Sequence, residues 1–111
     1  MVSKDQLIQK VKDILTAHSK VEFTYGDIRP QTIFDDNNNV YQLRFIGWEG
    51  TKHVYGSVID VEVIDDKIWI HHDGTEKGVA VELEEQGVPK NQIVLGWIPP
   101  FRRQHTDYAV A

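Results

Sequence analysis

Cysteine is missing from this 111-residue chain, and that single absence removes a disulfide framework, a thiolate zinc site, an iron–sulfur cluster and a cysteine nucleophile together. Long apolar runs are missing too: none approaches the roughly 20 residues that a membrane span requires. The opening MVSKDQLIQKVKDIL interleaves Lys and Asp with its apolar residues, so it lacks the unbroken apolar centre of a secretion signal. These absences predict a soluble, cytoplasmic protein. Positive charge is scarce as well, with 12 Lys and Arg against 17 Asp and Glu and a net charge of −5. That balance works against phosphate-backbone binding as the main activity. Of the 12 cations, Lys90, Arg102 and Arg103 face only Asp107 after residue 87, which makes a weak basic tail.

Apolar and aromatic material is present in globular proportion, at 41% and 10% of the residues. A chain of this length can bury roughly two-thirds of its unfolded surface around one modest core, so a single domain over residues 1–111 is expected. Ser3 followed by Gln6 fits a capping box, and Leu7, Ile8, Val11, Ile14, Leu15 and His18 recur at helical spacing. A first helix over about 4–18 follows. The period then shortens to two at Val21, Phe23 and Tyr25, and Gly26-Asp27 with Pro30 breaks that extended segment. Ile33-Phe34 enters the turn Asp35-Asp36-Asn37-Asn38-Asn39, from which Val40–Trp48 returns as a partner strand.

Residues 53–64 read as a third, long strand whose second half alternates Ile59, Val61 and Val63 with Asp60 and Glu62. Its first half carries Val54, Tyr55 and Val58 on both faces, and Gly47 and Gly56 suggest a bulge or a close backbone approach. Asp65-Asp66 turns the chain into a fourth strand, Lys67–His72, and short connections favour antiparallel neighbours. The result is an α+β fold: N-terminal helix, antiparallel meander of four to five strands, second helix, then a short C-terminal strand and tail.

The sequence HHDGTE at 71–76 looks most like a catalytic or metal corner. On an extended strand, however, His72 shares a face with Ile68 and Ile70, while His71 shares the other with Trp69. Adjacent histidines that point apart do not converge on a metal, and His18, His53 and His105 are scattered. Asp73 with Glu76 three residues on fits a helix cap, with Thr75 as rival. Val79, Ala80 and Leu83 then repeat at helical spacing, and Gly87-Val88-Pro89 stops the helix, giving a second helix over about 74–86. GTEKG lacks the spacing of a phosphate loop, and Ser57 sits within a strand rather than on a nucleophile elbow. No catalytic, cofactor-binding or metal residue is assigned.

After a short apolar run at 93–98, Pro99-Pro100 opens a polar tail with aromatic punctuation. Phe101 and Tyr108 either pack this tail back on the sheet or present it to a partner. The candidate partner or dimer surface is Val54, Tyr55, Val58, Trp97, Phe101 and Tyr108; the candidate nucleic-acid contacts are Lys90, Arg102 and Arg103, with His105 beside them.

In order from about residue 20, the segments TYGDI, TIFDDNNNVYQL, GWEG, HVYGSVIDVEV, KIWIHHDGTE, GVPKNQIVLGW and PPFRRQHTDYAVA resemble the XisI family, the fdxN element excision controlling factors of cyanobacteria. Helix one matches mainly in pattern. The resemblance implies an accessory component of programmed, site-specific DNA excision during heterocyst differentiation, working with a recombinase and a nuclease-like XisH partner. It brings no established active site. An acidic domain of this kind is expected to be a non-enzymatic protein-interaction module, a homodimer that partners a XisH-like protein without a cofactor. The alternatives are a direct DNA-binding regulator using the basic tail, and a small hydrolase using Asp73, Glu76 and a histidine.

Overall fold

The computed structural model describes residues 1–20 and 27–111; the alternation at Val21, Phe23 and Tyr25 lies outside the described residues. Helix α1 spans Lys4–His18 and opens with the capping box expected of Ser3 and Gln6. Ser3 Oγ accepts from the Gln6 amide at 3.3 Å, and Gln6 Oε1 accepts from the Ser3 amide at 3.1 Å. Leu7, Val11, Ile14 and Leu15 are buried on one stripe. Its polar face is solvated, as an amphipathic helix on a sheet requires.

Four strands follow as an antiparallel meander: β1 Asp27–Asp35, β2 Val40–Glu49, β3 Lys52–Ile64 and β4 Lys67–Asp73. Pro30 does not break β1, as its position in the sequence suggests. It lies inside the strand opposite Phe45, and β1 is the edge of the sheet, where a missing N–H costs least. The turn between β1 and β2 forms as its residues dictate. Asp35 Oδ1 accepts from the amides of Asn37 and Asn38, and Asn39 takes the left-handed conformation at φ 57°.

The two strand glycines divide. A Cβ on Gly47 would lie 1.9 Å from the carbonyl oxygen of Asp27, a close backbone approach only glycine allows, whereas Gly56 has open space beside it. The bulges lie elsewhere. Ile59 pairs with Leu43 and Ser57 with Arg44, leaving Val58 as an extra residue; Asp60 pairs with His72 and Val61 with Ile70, leaving His71 as another.

After β4, helix α2 spans Val79–Glu85, and a 3-10 turn at Lys90–Gln92 leads into β5, Ile93–Leu95. β5 pairs parallel to β4, because the chain crosses over through α2 before returning. Gly87, at φ 91°, closes α2: its amide donates to the Glu84 carbonyl, the Val88 amide donates to the Leu83 carbonyl, and Val88 is buried. A short helix α3, Pro100–Arg103, precedes the tail, in which the Ala109 amide donates to the Ile93 carbonyl at 2.9 Å. No helix among the described residues is long and apolar enough to cross a membrane.

The core lies between the helices and one face of the sheet, with Leu7, Leu15, Tyr41, Leu43, Ile59 and Ile70 all at 0% exposure. One polar side chain is fully enclosed with it. Gln92, 1% exposed, accepts from the Val2 amide at 2.9 Å and donates to the carbonyls of Val2 and Asp66 at 2.8 and 2.9 Å. Every acceptor and donor of this clamp would be stranded by an apolar replacement. Gln92→Leu is expected to lose about 2–4 kcal/mol of stability in urea unfolding. An unchanged midpoint would show that the clamp is dispensable.

Candidate functional site

The corner at 71–76 is built around one carboxylate. Asp73 Oδ1 accepts from the Thr75 amide at 2.9 Å and from the Thr75 hydroxyl at 2.6 Å, while Oδ2 accepts from the Val79 amide at 2.7 Å. The Thr75 hydroxyl in turn accepts from the Gly78 amide at 3.2 Å. Asp73 is therefore a helix cap, yet it caps across a five-residue loop instead of directly. That loop, together with Gly78 at φ 97°, starts α2 at Val79 rather than near residue 74. Glu76 stands exposed and closes no box.

Both histidines of the corner are exposed, and the bulge interrupts the simple alternation that the sequence suggests for them. His71 Nε2 lies 3.0 Å from Glu62 Oε1, and its ring stacks beside Trp69 at a centroid distance of 6.4 Å. Its other nitrogen faces Gly96, where an added Cβ would come within 2.9 Å of Nδ1. His71 thus fits between a carboxylate and the turn at Gly96 that follows β5. Among the described residues there is no cavity and no group of three or more His, Cys, Asp or Glu able to hold a metal.

The six candidate partner residues do not form one patch. Val54 is half-buried and lies opposite Gly47, on the face away from Tyr55, and Val58 packs against the core from its bulge. Tyr108 also packs against the core, and its hydroxyl donates to Glu84 Oε2 at 2.7 Å. Tyr55, Trp97 and Phe101 are open, at 67%, 51% and 68% exposure. Of the two residues expected to pack the tail, Tyr108 does so and Phe101 does not.

Arg103 takes the role of Phe101. It is 9% exposed, its Nε donates to the Ile98 carbonyl at 2.9 Å, an Nη donates to the Val110 carbonyl at 3.3 Å, and its guanidinium sits 5.0 Å from the Trp69 ring centroid. A residue read as a candidate nucleic-acid contact is thus a structural clip, buried with two of its donors on the Ile98 and Val110 carbonyls. Lys90 lies 3.7 Å from Glu84 and 3.8 Å from Asp107, with its ammonium 5.9 Å from the Tyr108 ring centroid. Arg102 and His105 are exposed. Sequence reasoning passed over two further ties, His18 to Glu82 at 2.7 Å and Lys12 to Asp36 at 3.0 Å. The first joins the end of α1 to α2, and the second joins the polar side of α1 to the turn between β1 and β2.

Two measurements check this geometry. Asp73→Ala is expected to cost about 1–2 kcal/mol, the range for a lost helix cap, while Glu76→Ala stays within about 0.5 kcal/mol; equal effects would mean that Asp73 is not the cap. Burial first, then the bond to Glu84, pushes the Tyr108 hydroxyl up to about 12. Since the folded state favours the protonated phenol, this contact stabilises fully below the ordinary value of about 10 and is lost as pH rises through about 12. Tyr108→Phe should therefore shrink the fall in unfolding midpoint between neutral and strongly alkaline pH, and an identical fall in both proteins would exclude the contact as its source.

With this geometry in place, the chain can be set beside known proteins. The family model described as XisI protein matches residues 1–110. A crystal structure of a XisI-like protein from Anabaena variabilis ATCC 29413 superposes with a TM-score of 0.92 at 37% identity, covering 98% of this chain and 100% of that one. The fdxN element excision controlling factor XisI from the same organism shares the fold, with a TM-score of 0.82 at 24% identity over 97% of this chain and 98% of that one. Among the curated proteins no match is found. The helix-sheet-helix order, the near-complete coverage and the family match agree: this chain belongs to the XisI family.

Proposed function

We propose that this chain is a non-catalytic controlling factor of programmed, site-specific DNA excision, acting as a homodimeric protein-interaction module with a XisH-like partner. The family membership supports the excision context, and the relative described as an excision controlling factor points the same way. One observation carries the interaction reading. Trp97 and Phe101 stand 51% and 68% exposed on a segment that Arg103 clips to the sheet. Large rings held on a fixed backbone lose little entropy on binding, which is the property of interface anchors.

The same corner gives the hydrolase reading little support. Asp73 is committed to three donors, and His71 already faces Glu62. A general base needs room for a substrate within hydrogen-bond reach.

Co-expression with a XisH-like protein from the same genome tests the proposal. A stable complex is expected on size exclusion, and the double variant Trp97→Ala/Phe101→Ala should weaken it by about 30-fold or more, as loss of a central anchor does. A monomer that does not associate with the XisH-like protein would reject this reading. A complex indifferent to the double variant would move the interface elsewhere.

A further inference from the structure

Beyond the bulge at Val58, the sheet face that points away from the helices carries a row of rings. Trp48 of β2 lies directly opposite His53 of β3, with ring centroids 4.7 Å apart, and His53 stacks beside Tyr55 at 6.4 Å and 22°. Both ends of the row are open: Trp48 is 51% exposed and Tyr55 is 67% exposed. Arg44 reaches across the row with its guanidinium 5.4 Å from the Tyr55 centroid, and its Nε donates to Gln31 Oε1 at 2.8 Å. Strand register puts Arg29 on the same face, opposite Ile46, and puts Asp27 there as the one carboxylate of this stretch, opposite Trp48.

The core does not require this arrangement, since the buried residues of β2 and β3 end at Leu43 and Ile59. Flat rings offered edge to edge on a sheet, flanked by guanidiniums, match the chemistry of unpaired bases and their phosphates. A neutral sugar would stack on the rings but gain nothing from the two cations. Duplex DNA keeps its base faces stacked internally and cannot use the rings at all. We propose that this face binds a short single-stranded nucleic-acid segment, its bases stacked on Trp48, His53 and Tyr55 and its phosphates met by Arg29 and Arg44. The site is separate from the C-terminal cations and stands independently of the XisH-like partner.

Fluorescence anisotropy of a labelled oligothymidylate of about 15 nucleotides, long enough to span such a platform, tests the site on the full chain. Two phosphate contacts predict a modest salt dependence, about a sevenfold loss of affinity between 50 and 200 mM salt. Tyr55→Ala and Trp48→Ala should each weaken binding by about fivefold or more, while Tyr55→Phe, which keeps the ring, should bind nearly as the parent does. Arg44→Gln should weaken binding and flatten the salt dependence. Lys77→Gln, which removes a cation paired with Glu85, should change neither. Circular dichroism of each variant separates lost binding from lost folding. The proposal is overturned by absence of binding at low salt, by equal affinity for duplex, or by binding that Tyr55→Ala leaves intact. It is equally overturned if sedimentation shows Tyr55→Ala abolishing self-association while no oligonucleotide binds, since a second copy would then cover the face.

Discussion

The amide of Gln92 is the joint on which the described fold closes. It joins the chain's second residue, the β3–β4 turn at Asp66 and the entry to β5 through three hydrogen bonds. These pieces are far apart in sequence, so the bonds exist together only when α1, the meander and the returning strand are all in place. Apolar burial alone does not impose this, because it is non-directional and tolerates small slides between packed surfaces. A buried amide does impose it, since any slide strands a donor or acceptor at a cost comparable to a large fraction of a small domain's stability. Among the described residues every buried side-chain polar atom has a partner, so the clamp adds direction to the core without leaving a defect in it.

From that joint the molecule runs out to one side. Helix α1 lies across β2 and β3 and reaches β1 and β4, α2 lies beside it against β4, and the two are tied to each other by His18–Glu82 and by Lys10 Nζ to the Gln86 carbonyl, both at 2.7 Å. The strands β1 to β3 are longer than this cover, and the molecule extends 45 Å along one axis against 28 and 26 Å across the others. The bulge at Val58 sits at the boundary. A two-stranded ribbon is marginal in water, but here a third strand and the tight approach of Gly47 to Asp27 brace the projecting part. There Arg44 ties β2 to Gln31 of β1, and the rings of Trp48 and Tyr55 keep open faces, whereas near Trp69 Arg103 holds the tail.

Local chemistry was readable in the sequence where a residue acts on its own neighbours. Ser3 and Gln6 announce their box, Asp35 and Asn39 their turn, and Gly87-Val88 their helix stop, because each signal is satisfied within a few residues. The family segments, spread from about residue 20 onward, were readable for the same reason. What stayed hidden depends on partners far along the chain. Pro30 reads as a breaker until the strand order makes β1 an edge. The bulges at Val58 and His71 belong to pairs of strands, not to either strand alone. Gln92, Arg103 and Glu82 look like surface residues because their type usually is one, and only the fold reveals what encloses or engages them.

Net charge shows the same limit. A total of −5 argued against contact with a polyanion, and a cluster of three cations near the C-terminus appeared to be the one exception. Folding reverses the local picture at both places. It clips Arg103 to two carbonyls and sets Lys90 between Glu84 and Asp107, while Asp35 is drawn into a turn and Asp73 into a cap. What remains on the ring-bearing face of the arm is two guanidiniums against one carboxylate, Asp27, separated from Asp60 and Glu62 by the bulge. With a screening length of about 8 Å at physiological salt, a ligand meeting that face feels the charges nearest to it and little of the total. The sign of the whole chain is therefore a poor guide to what this face can hold.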